Sequence, residues 1–231
     1  MQKDLILTLG KAKIENKQEN KEIKVPKNCP VCNSDSYREI LTENKGVITY
    51  EKYIRCTGGF TCSSQAKERL KHFVSKEGFD IDGLGDKQIN DYFDMGIIKD
   101  PTDIFSLEQT YRKNPPQIWV YSSGSKSKIN TIKDSAIKLF KAIDDKKNIN
   151  FDRFIYSLGI RHLGSSTASL LASHFIAFNN MVSVFKLHKL DEIDEVRSLD
   201  GIGDKVVNAL IDFFRNRETF NLVNNLIAVS Y

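Results

Sequence analysis

The chain has 231 residues, of which 40% are hydrophobic, so it can bury one large core or two small ones. With 34 basic and 30 acidic residues, the net charge of +4 is too small to indicate nucleic-acid binding through bulk charge alone. The sequence has no run of roughly 20 apolar residues and begins without the apolar core of a secretory signal. We therefore expect a folded, cytoplasmic protein without a membrane partner.

The N-terminal part divides into a linker and a small cysteine-containing module. Residues 1–28 begin with a short apolar run at 5–7, which predicts a strand, and continue as a Lys/Glu/Asn-rich linker. Residues 29–63 contain all four cysteines and, between the two cysteine pairs, Tyr50, Tyr53 and Ile54, which are residue types suited to short strands. The pattern predicts a small β-ribbon module.

From residue 64 onward the apolar residues recur at the spacing of α-helices. The periodic positions are Ala66, Leu70, Phe73 and Val74; Phe151, Phe154, Ile155 and Leu158; Ala168, Leu171, Ala172 and Phe175; and Val206, Leu210, Phe213 and Phe214. Pro115, Pro116 and a Ser/Gly/Lys-rich stretch at 121–128 interrupt them and predict an exposed loop. The fold class is therefore mainly α, with one small β module.

The four cysteines form two close pairs, Cys29 with Cys32 and Cys56 with Cys62. Four thiolates suit tetrahedral zinc in a closed, structural site, and such a metal supplies roughly 10 kcal/mol of folding energy in small fingers. Free or oxidised cysteines are one alternative, which the confinement of all four to one segment disfavours. A redox-active Cys-x-x-Cys is another, but no βαβ pattern surrounds the motif.

Three segments carry a glycine-containing pattern between helical periods, at residues 81–87, 158–164 and 199–205. Glycine tolerates positive φ and has no Cβ, so the backbone can approach a phosphate closely, and the amides at the start of the next helix can bind an anion. Leu84 and Ile202 are expected to point into the core. The predicted phosphate-contacting residues are Gly83, Gly85, Lys87, Gly159, Arg161, His162, Gly164, Gly201, Gly203 and Lys205.

Backbone contacts of this kind predict salt-sensitive binding to duplex DNA without sequence preference. A dinucleotide-binding loop is disfavoured because the third glycine of its fingerprint and a parallel sheet are lacking. A plain helix-connecting turn would explain one such segment better, but three favour phosphate binding. We predict no catalytic residue, since His162 has no evident partner, and expect His72, His174 and His188 to be packing or surface residues.

These residues resemble the C-terminal half of bacterial NAD-dependent DNA ligases, comprising a zinc finger and a helix-hairpin-helix domain. The resemblance covers about residues 22–228. It is carried by residues 29–32, by 55–62 followed by Gln65 and Ala66, and by 68–73, 79–85, 154–164 and 201–203.

The resemblance implies structural zinc on Cys29, Cys32, Cys56 and Cys62, and it accounts for the five-residue spacer of the second pair. It also implies a domain of four helix-hairpin-helix motifs that clasps nicked duplex DNA from the minor-groove side, with contacts around Gly83, Gly159 and Gly201. The implied domains are the end of an oligonucleotide-binding domain with a linker (1–28), the zinc finger (29–63) and the helix-hairpin-helix domain (64–228).

The sequence departs from the family in several respects, which include an expected lack of a C-terminal BRCT domain and an insertion-like segment from Trp119 to Lys128. It contains no Lys-x-Asp-Gly motif, so NAD and Mg²⁺ are expected only through an adenylation domain on another polypeptide. The expected second hairpin, near residues 129–134, lacks both glycines, although Lys126, Lys128 and Lys133 can compensate. We consider a DNA-binding part of a ligase first, a free-standing DNA-binding module without chemistry second, and a decayed gene product third.

Overall fold

The computed structural model describes residues 27–44, 46–50, 52–122 and 131–230. The strand predicted at residues 5–7 and most of the loop predicted at 121–128 lie outside these ranges. The chain divides into two compact units, 1–59 and 60–231, and the division falls just before the last cysteine.

In the part of the first unit that the structure describes, the strands form two small antiparallel sheets. Strand β1 (Ser36–Tyr37) pairs with β4 (Arg55–Cys56), and β2 (Ile40–Asn44) pairs with β3 (Val47–Tyr50). The prediction of strands is confirmed for Tyr50 but wrong for Tyr53 and Ile54, which lie between β3 and β4. These residues connect two separate sheets, so the backbone there has no strand to pair with.

The described residues of the first unit form little apolar core. None of the apolar side chains described in residues 27–59 is fully buried, and Ile40, Ile48 and Tyr50 are all exposed. Ile40 and Tyr50 are paired across β2 and β3, yet they face solvent together. A two-stranded hairpin is only marginally stable by itself. Apolar contacts among the described residues 27–59 therefore contribute little to the stability of this part of the chain.

The described part of the second unit contains ten α-helices, as the helical periods predict. They are α1 (Ser63–Val74), α2 (Asp86–Asp94), α3 (Pro101–Tyr111), α4 (Asp134–Asp145), α5 (Phe151–Ser157), α6 (Ser165–His174), α7 (Phe178–Leu187), α8 (Leu190–Ser198), α9 (Asp204–Arg215) and α10 (Arg217–Ser230). Among the described residues, no single helix is long and apolar enough to cross a membrane; one pair that passes together, α6 with α7, is bent by 97°.

One contiguous apolar core runs through the second unit. All four periodic segments contribute to it, and Leu70, Ile155, Leu171 and Leu210 are completely buried, which confirms the predicted core. Leu84 and Ile202 are also buried, as expected from their places between hairpin glycines. The fold class is thus confirmed: mainly α, with a small strand module.

Within the described residues, four pairs of neighbouring helices pack together: α1 with α2, α3 with α4, α5 with α6, and α8 with α9. The segment that joins each pair is called its hairpin. A Cβ at Gly83 would contact Leu139, the sixth residue of α4, and a Cβ at Gly201 would contact Leu170, the sixth residue of α6. The hairpin between α1 and α2 thus lies against α4. The hairpin between α8 and α9 lies against α6. Helix α7 connects the third and fourth pairs, and α10 packs on α3 and α9.

Trp119 fixes the short 3-10 helix Gln117–Trp119, which follows Pro115 and Pro116, to the neighbouring α-helices. Its indole N–H donates to the Tyr92 hydroxyl at 2.7 Å, and its ring meets Tyr92, Tyr111 and Phe140 edge-on. The side chain is buried. Through these contacts with α2, α3 and α4, Trp119 is part of the apolar core.

Candidate metal centre and nucleic-acid interface

The four cysteines are brought together, as their spacing predicts. Cys29 and Cys32 flank a turn before β1, Cys56 ends β4, and Cys62 is the N-cap residue of α1. Their sulfur atoms all lie within 4.8 Å of one another, and those of Cys32 and Cys56 are 3.4 Å apart. Four thiolates bound to zinc at about 2.3 Å are separated by roughly 3.8 Å in a tetrahedron. The set therefore fits a zinc ion.

Backbone amides support the two sulfur-bearing turns. The Val31 amide donates to the Cys29 sulfur at 3.5 Å, and the Gly58 amide donates to the Cys56 sulfur at 3.1 Å. A Cβ at Gly58 would lie 2.7 Å from the Cys32 sulfur and 3.1 Å from the Cys56 sulfur. The second turn therefore requires glycine at position 58, because any larger residue would intrude into the cluster.

The thiols differ in acidity because of their neighbours. The hydroxyl and amide of Ser34 lower the pKa of Cys32 to about 6. The Gly58 amide favours the Cys56 thiolate, but burial and the neighbouring Cys32 and Cys29 groups outweigh it and raise the pKa of Cys56 to about 11. Four adjacent thiols resist simultaneous ionisation without a cation, and a divalent metal removes that obstacle.

Three hairpins contain the same turn. The amide of the apolar residue donates to the carbonyl three positions earlier: Leu84 to Ile81 at 3.3 Å, Leu163 to Ile160 at 3.2 Å, and Ile202 to Leu199 at 3.0 Å. The residue before the apolar one has positive φ, +82° at Gly83, +62° at His162 and +88° at Gly201. This combination defines a type II turn, whose third residue needs the left-handed region.

The third hairpin therefore differs from the expectation based on glycine spacing. His162 occupies the left-handed position that glycine has in the other two hairpins. Gly159 lies earlier, just after the end of α5, where a Cβ would come within 3.4 Å of the His72 ring. Sequence reasoning overlooked this alignment, although the apolar residue followed by glycine, Leu163 and Gly164, was the available signal.

Each of the three turns leads directly into a helix with accessible N-terminal amides. Gly85, Gly164 and Gly203 are the N-cap residues of α2, α6 and α9, and no side chain caps any of these helices. All three glycines are exposed, as are Lys87 and Lys205 at the second helical position. The first helical residue is aspartate in α2 and α9 but serine in α6.

Basic side chains fix the backbone that leads into the first hairpin. Arg153 on α5 donates to the carbonyls of Gly78 and Lys76 at 2.9 and 2.6 Å, and Lys146 forms a 3.0 Å ion pair with Asp80. The hydrogen bond from Lys146 lowers the pKa of the Asp80 carboxyl. In the fourth hairpin, Arg197 pairs with Asp204 at 2.8 Å. Sequence reasoning missed these contacts because they join residues distant along the chain or across a turn.

The second hairpin has another local structure. Thr131 aligns with Gly83 and Gly201 but has no positive φ, which a β-branched residue adopts only with strain. The chain instead forms a short antiparallel stem, in which Val120 is bridged to Ile132 and the Lys133 amide donates to the Trp119 carbonyl at 2.7 Å. Among the described residues of this hairpin, Thr131 therefore lacks the left-handed conformation found in the other three turns.

Three of the four histidines have structural positions. The His72 ring lies 2.8 Å from the Tyr156 carbonyl and packs on the Tyr156 ring, and His174 contacts Phe175. His188 is exposed and ends α7 with a φ of +55°. These placements confirm the expectation of packing and surface roles.

In comparison with known proteins, the chain is similar to part of the length of DNA ligases. Residues 153–223 match the family model of the helix-hairpin-helix motif. The chain is 36% identical over 209 residues to a DNA ligase of Parvibaculum lavamentivorans, covering 89% of this chain and 28% of that protein. It is 41% identical over 180 residues to a DNA ligase of Rickettsia rickettsii, covering 75% and 24% respectively. The chain thus spans less than a third of the length of these relatives.

Proposed function

We propose, on the premise that this chain is homologous to the helix-hairpin-helix part of DNA ligases, that it binds duplex DNA without reading its sequence. The DNA surface assigned to it consists of the first, third and fourth hairpins, residues 81–85, 160–164 and 199–203. We further propose that the bound duplex carries a nick, which is the substrate that a ligase seals.

The observation that carries the proposal is the threefold recurrence of one turn with exposed glycines and uncapped amides. Amides at a helix N-terminus attract anions, and a glycine backbone admits a phosphate oxygen where a Cβ would obstruct it. Phosphates are common to all sequences, so such contacts position DNA without specifying bases. Lys87, Arg161 and Lys205 add positive charge near the turns.

We propose that zinc on Cys29, Cys32, Cys56 and Cys62 holds the small module in its folded state. The cluster has four sulfur ligands, which in zinc sites are typical of a structural role without an open coordination position. The amides of Val31 and Gly58 would then stabilise thiolate ligands rather than thiols.

Nick sealing itself would require chemistry that this chain does not carry. The sequence has no Lys-x-Asp-Gly motif to accept an adenylyl group, so NAD and Mg²⁺ would act through an adenylation domain elsewhere in the ligase or on a separate polypeptide. This chain's residues would hold the duplex. The same turns and amides would equally serve a second candidate, a free-standing module that binds DNA without taking part in ligation.

A binding measurement tests the DNA surface. Fluorescence anisotropy with nicked and intact duplexes of identical sequence, and with two unrelated sequences, should give similar affinities across sequences and tighter binding at the nick. If Lys87, Arg161 and Lys205 each neutralise one phosphate, the slope of log K against log salt is about −2.7. Strong sequence preference, or binding independent of salt, would contradict the proposal.

A ligation assay separates the two candidates. The purified chain with NAD, Mg²⁺ and nicked DNA should give no sealing, whereas addition of a separately expressed adenylation domain should give sealing if the chain acts in ligation. Continued absence of sealing in the presence of an adenylation domain shown to accept AMP would favour the free-standing module. Adenylation of this chain alone would overturn its assignment as non-catalytic.

A further inference from the structure

We propose that Arg69 is a positioning residue for the metal ligand Cys62, an inference that rests on the zinc site proposed above. Arg69 lies on α1, seven residues after Cys62 and therefore on the same side of the helix. It reaches the spacer between Cys56 and Cys62 by stacking on Phe60. No cysteine sulfur has to contact Arg69 for this role.

The stacking geometry is close. The guanidinium carbon of Arg69 lies 3.8 Å from the centroid of the Phe60 ring. Phe60 is the central residue of a 3-10 turn, Gly59–Thr61, which ends immediately before Cys62. Fixing the Phe60 ring therefore fixes the backbone that delivers the last sulfur ligand.

Cys62 is held on its other side by the helix that it begins. Its carbonyl accepts the Ala66 amide at 2.9 Å, and its side chain is only 1% exposed. The helix determines the direction in which the chain leaves Cys62, and the stacked turn determines the direction in which it arrives. Arg69 belongs to the helix and contacts the turn, so it couples the two.

The environment of Arg69 suits a stacking role better than a solvated charge. The side chain is half-buried, burial lowers its pKa, and the Glu218 carboxylate on α10 acts in the opposite direction. Cation-π attraction strengthens when the cation is partly removed from water, and a planar guanidinium stacks where an ammonium cannot. Lysine at this position would therefore be an incomplete substitute.

The test is zinc affinity of the full chain, measured by competition with a chromophoric chelator. Arg69→Leu should still bind one zinc per chain but about 10-fold more weakly, the range typical for residues that orient metal ligands. Arg69→Lys should lie between Arg69→Leu and the wild type. Lys186→Leu removes a similar contact, 3.3 Å over the Phe220 ring and outside the cysteine cluster, and should leave zinc affinity unchanged.

Cobalt substitution adds a spectroscopic readout, because the visible absorption of a cobalt–thiolate site depends on its geometry. Arg69→Leu should change this spectrum and Lys186→Leu should not. Unchanged zinc affinity in Arg69→Leu, or an equal loss in both leucine variants, would overturn the positioning role. Failure of the wild-type chain to bind zinc would instead overturn the metal centre on which the inference rests.

Discussion

The two units of the chain are stabilised by different means. Residues 60–231 bury a continuous apolar core, whereas the described residues 27–59 leave Ile40, Ile48 and Tyr50 exposed and bring sulfur atoms together instead. With zinc bound as proposed, the unit that contains residues 27–59 would gain its folding energy from the metal, whereas residues 60–231 gain theirs from apolar burial. The difference predicts that each unit can be destabilised by a treatment that leaves the other intact.

The largest effect is expected from removing one metal ligand. Cys29→Ser should release zinc and unfold the small module, because a structural zinc supplies on the order of 10 kcal/mol. Elemental analysis measures the metal, and circular dichroism should show that the helices persist. Thr61→Ser, beside the ligand Cys62, is the control and should keep zinc. One zinc per chain in Cys29→Ser would contradict the four-ligand assignment.

The complementary change is in the helical core. Leu210→Ala removes a completely buried side chain and should lower the free energy of unfolding by about 2–5 kcal/mol while zinc stays bound. Urea denaturation, followed by the circular dichroism of the helices, measures the free energy of unfolding. Ile176→Ala, at a side chain that is 95% exposed, should change stability by less than about 0.5 kcal/mol. Similar losses in the two variants would refute the burial comparison.

A smaller effect is expected in DNA affinity at the fourth hairpin. Gly201→Val should distort the turn that presents the helix amides, because valine disfavours a φ of +88° and its Cβ would lie 3.4 Å from Leu170. Binding should weaken about 10-fold, or roughly 1.4 kcal/mol, without a change in sequence preference. Gly96→Val introduces comparable backbone strain at a φ of +69° in a loop outside the hairpins. Equal affinities for the two variants at fixed salt would remove Gly201 from the DNA surface.

The smallest effect is expected from single lysines. Lys87→Gln and Lys205→Gln should each reduce the magnitude of the salt slope of DNA binding by about 0.9, because each removes one phosphate contact. Lys99→Gln, an exposed lysine between α2 and α3, should leave the slope unchanged. If all three variants shift the slope equally, the hairpin lysines contribute only diffuse charge.

Local patterns were sufficient to predict much of this molecule. Cysteine spacing predicted the cluster, and the apolar residue between two glycines predicted the buried Leu84 and Ile202, because both depend on residues close in sequence. The third hairpin was misaligned because glycine was taken as the mark of positive φ, whereas His162 adopts that conformation. Histidine is tolerated there, though less readily than glycine.

Contacts between residues distant along the chain could not be predicted from sequence patterns. Trp119 was predicted only as part of an unusual segment, since its burial depends on Tyr92 and Phe140, which lie on helices before and after it. Likewise, Arg153 reaches the carbonyls of Lys76 and Gly78 across more than 70 positions. No periodicity or motif encodes such pairs, because they follow from how helices pack.

The antiparallel stem beside Trp119 bears on how the chain would tolerate an insertion between its two strands. An antiparallel bridge pairs Val120 with Ile132, so described residues hold together the two ends of the segment between Ser122 and Thr131. Once the ends of a loop are fixed, doubling its length costs only about 0.6 kcal/mol. The position therefore suits the insertion of a tag or fluorophore, which would report on this protein without disturbing its other three hairpins.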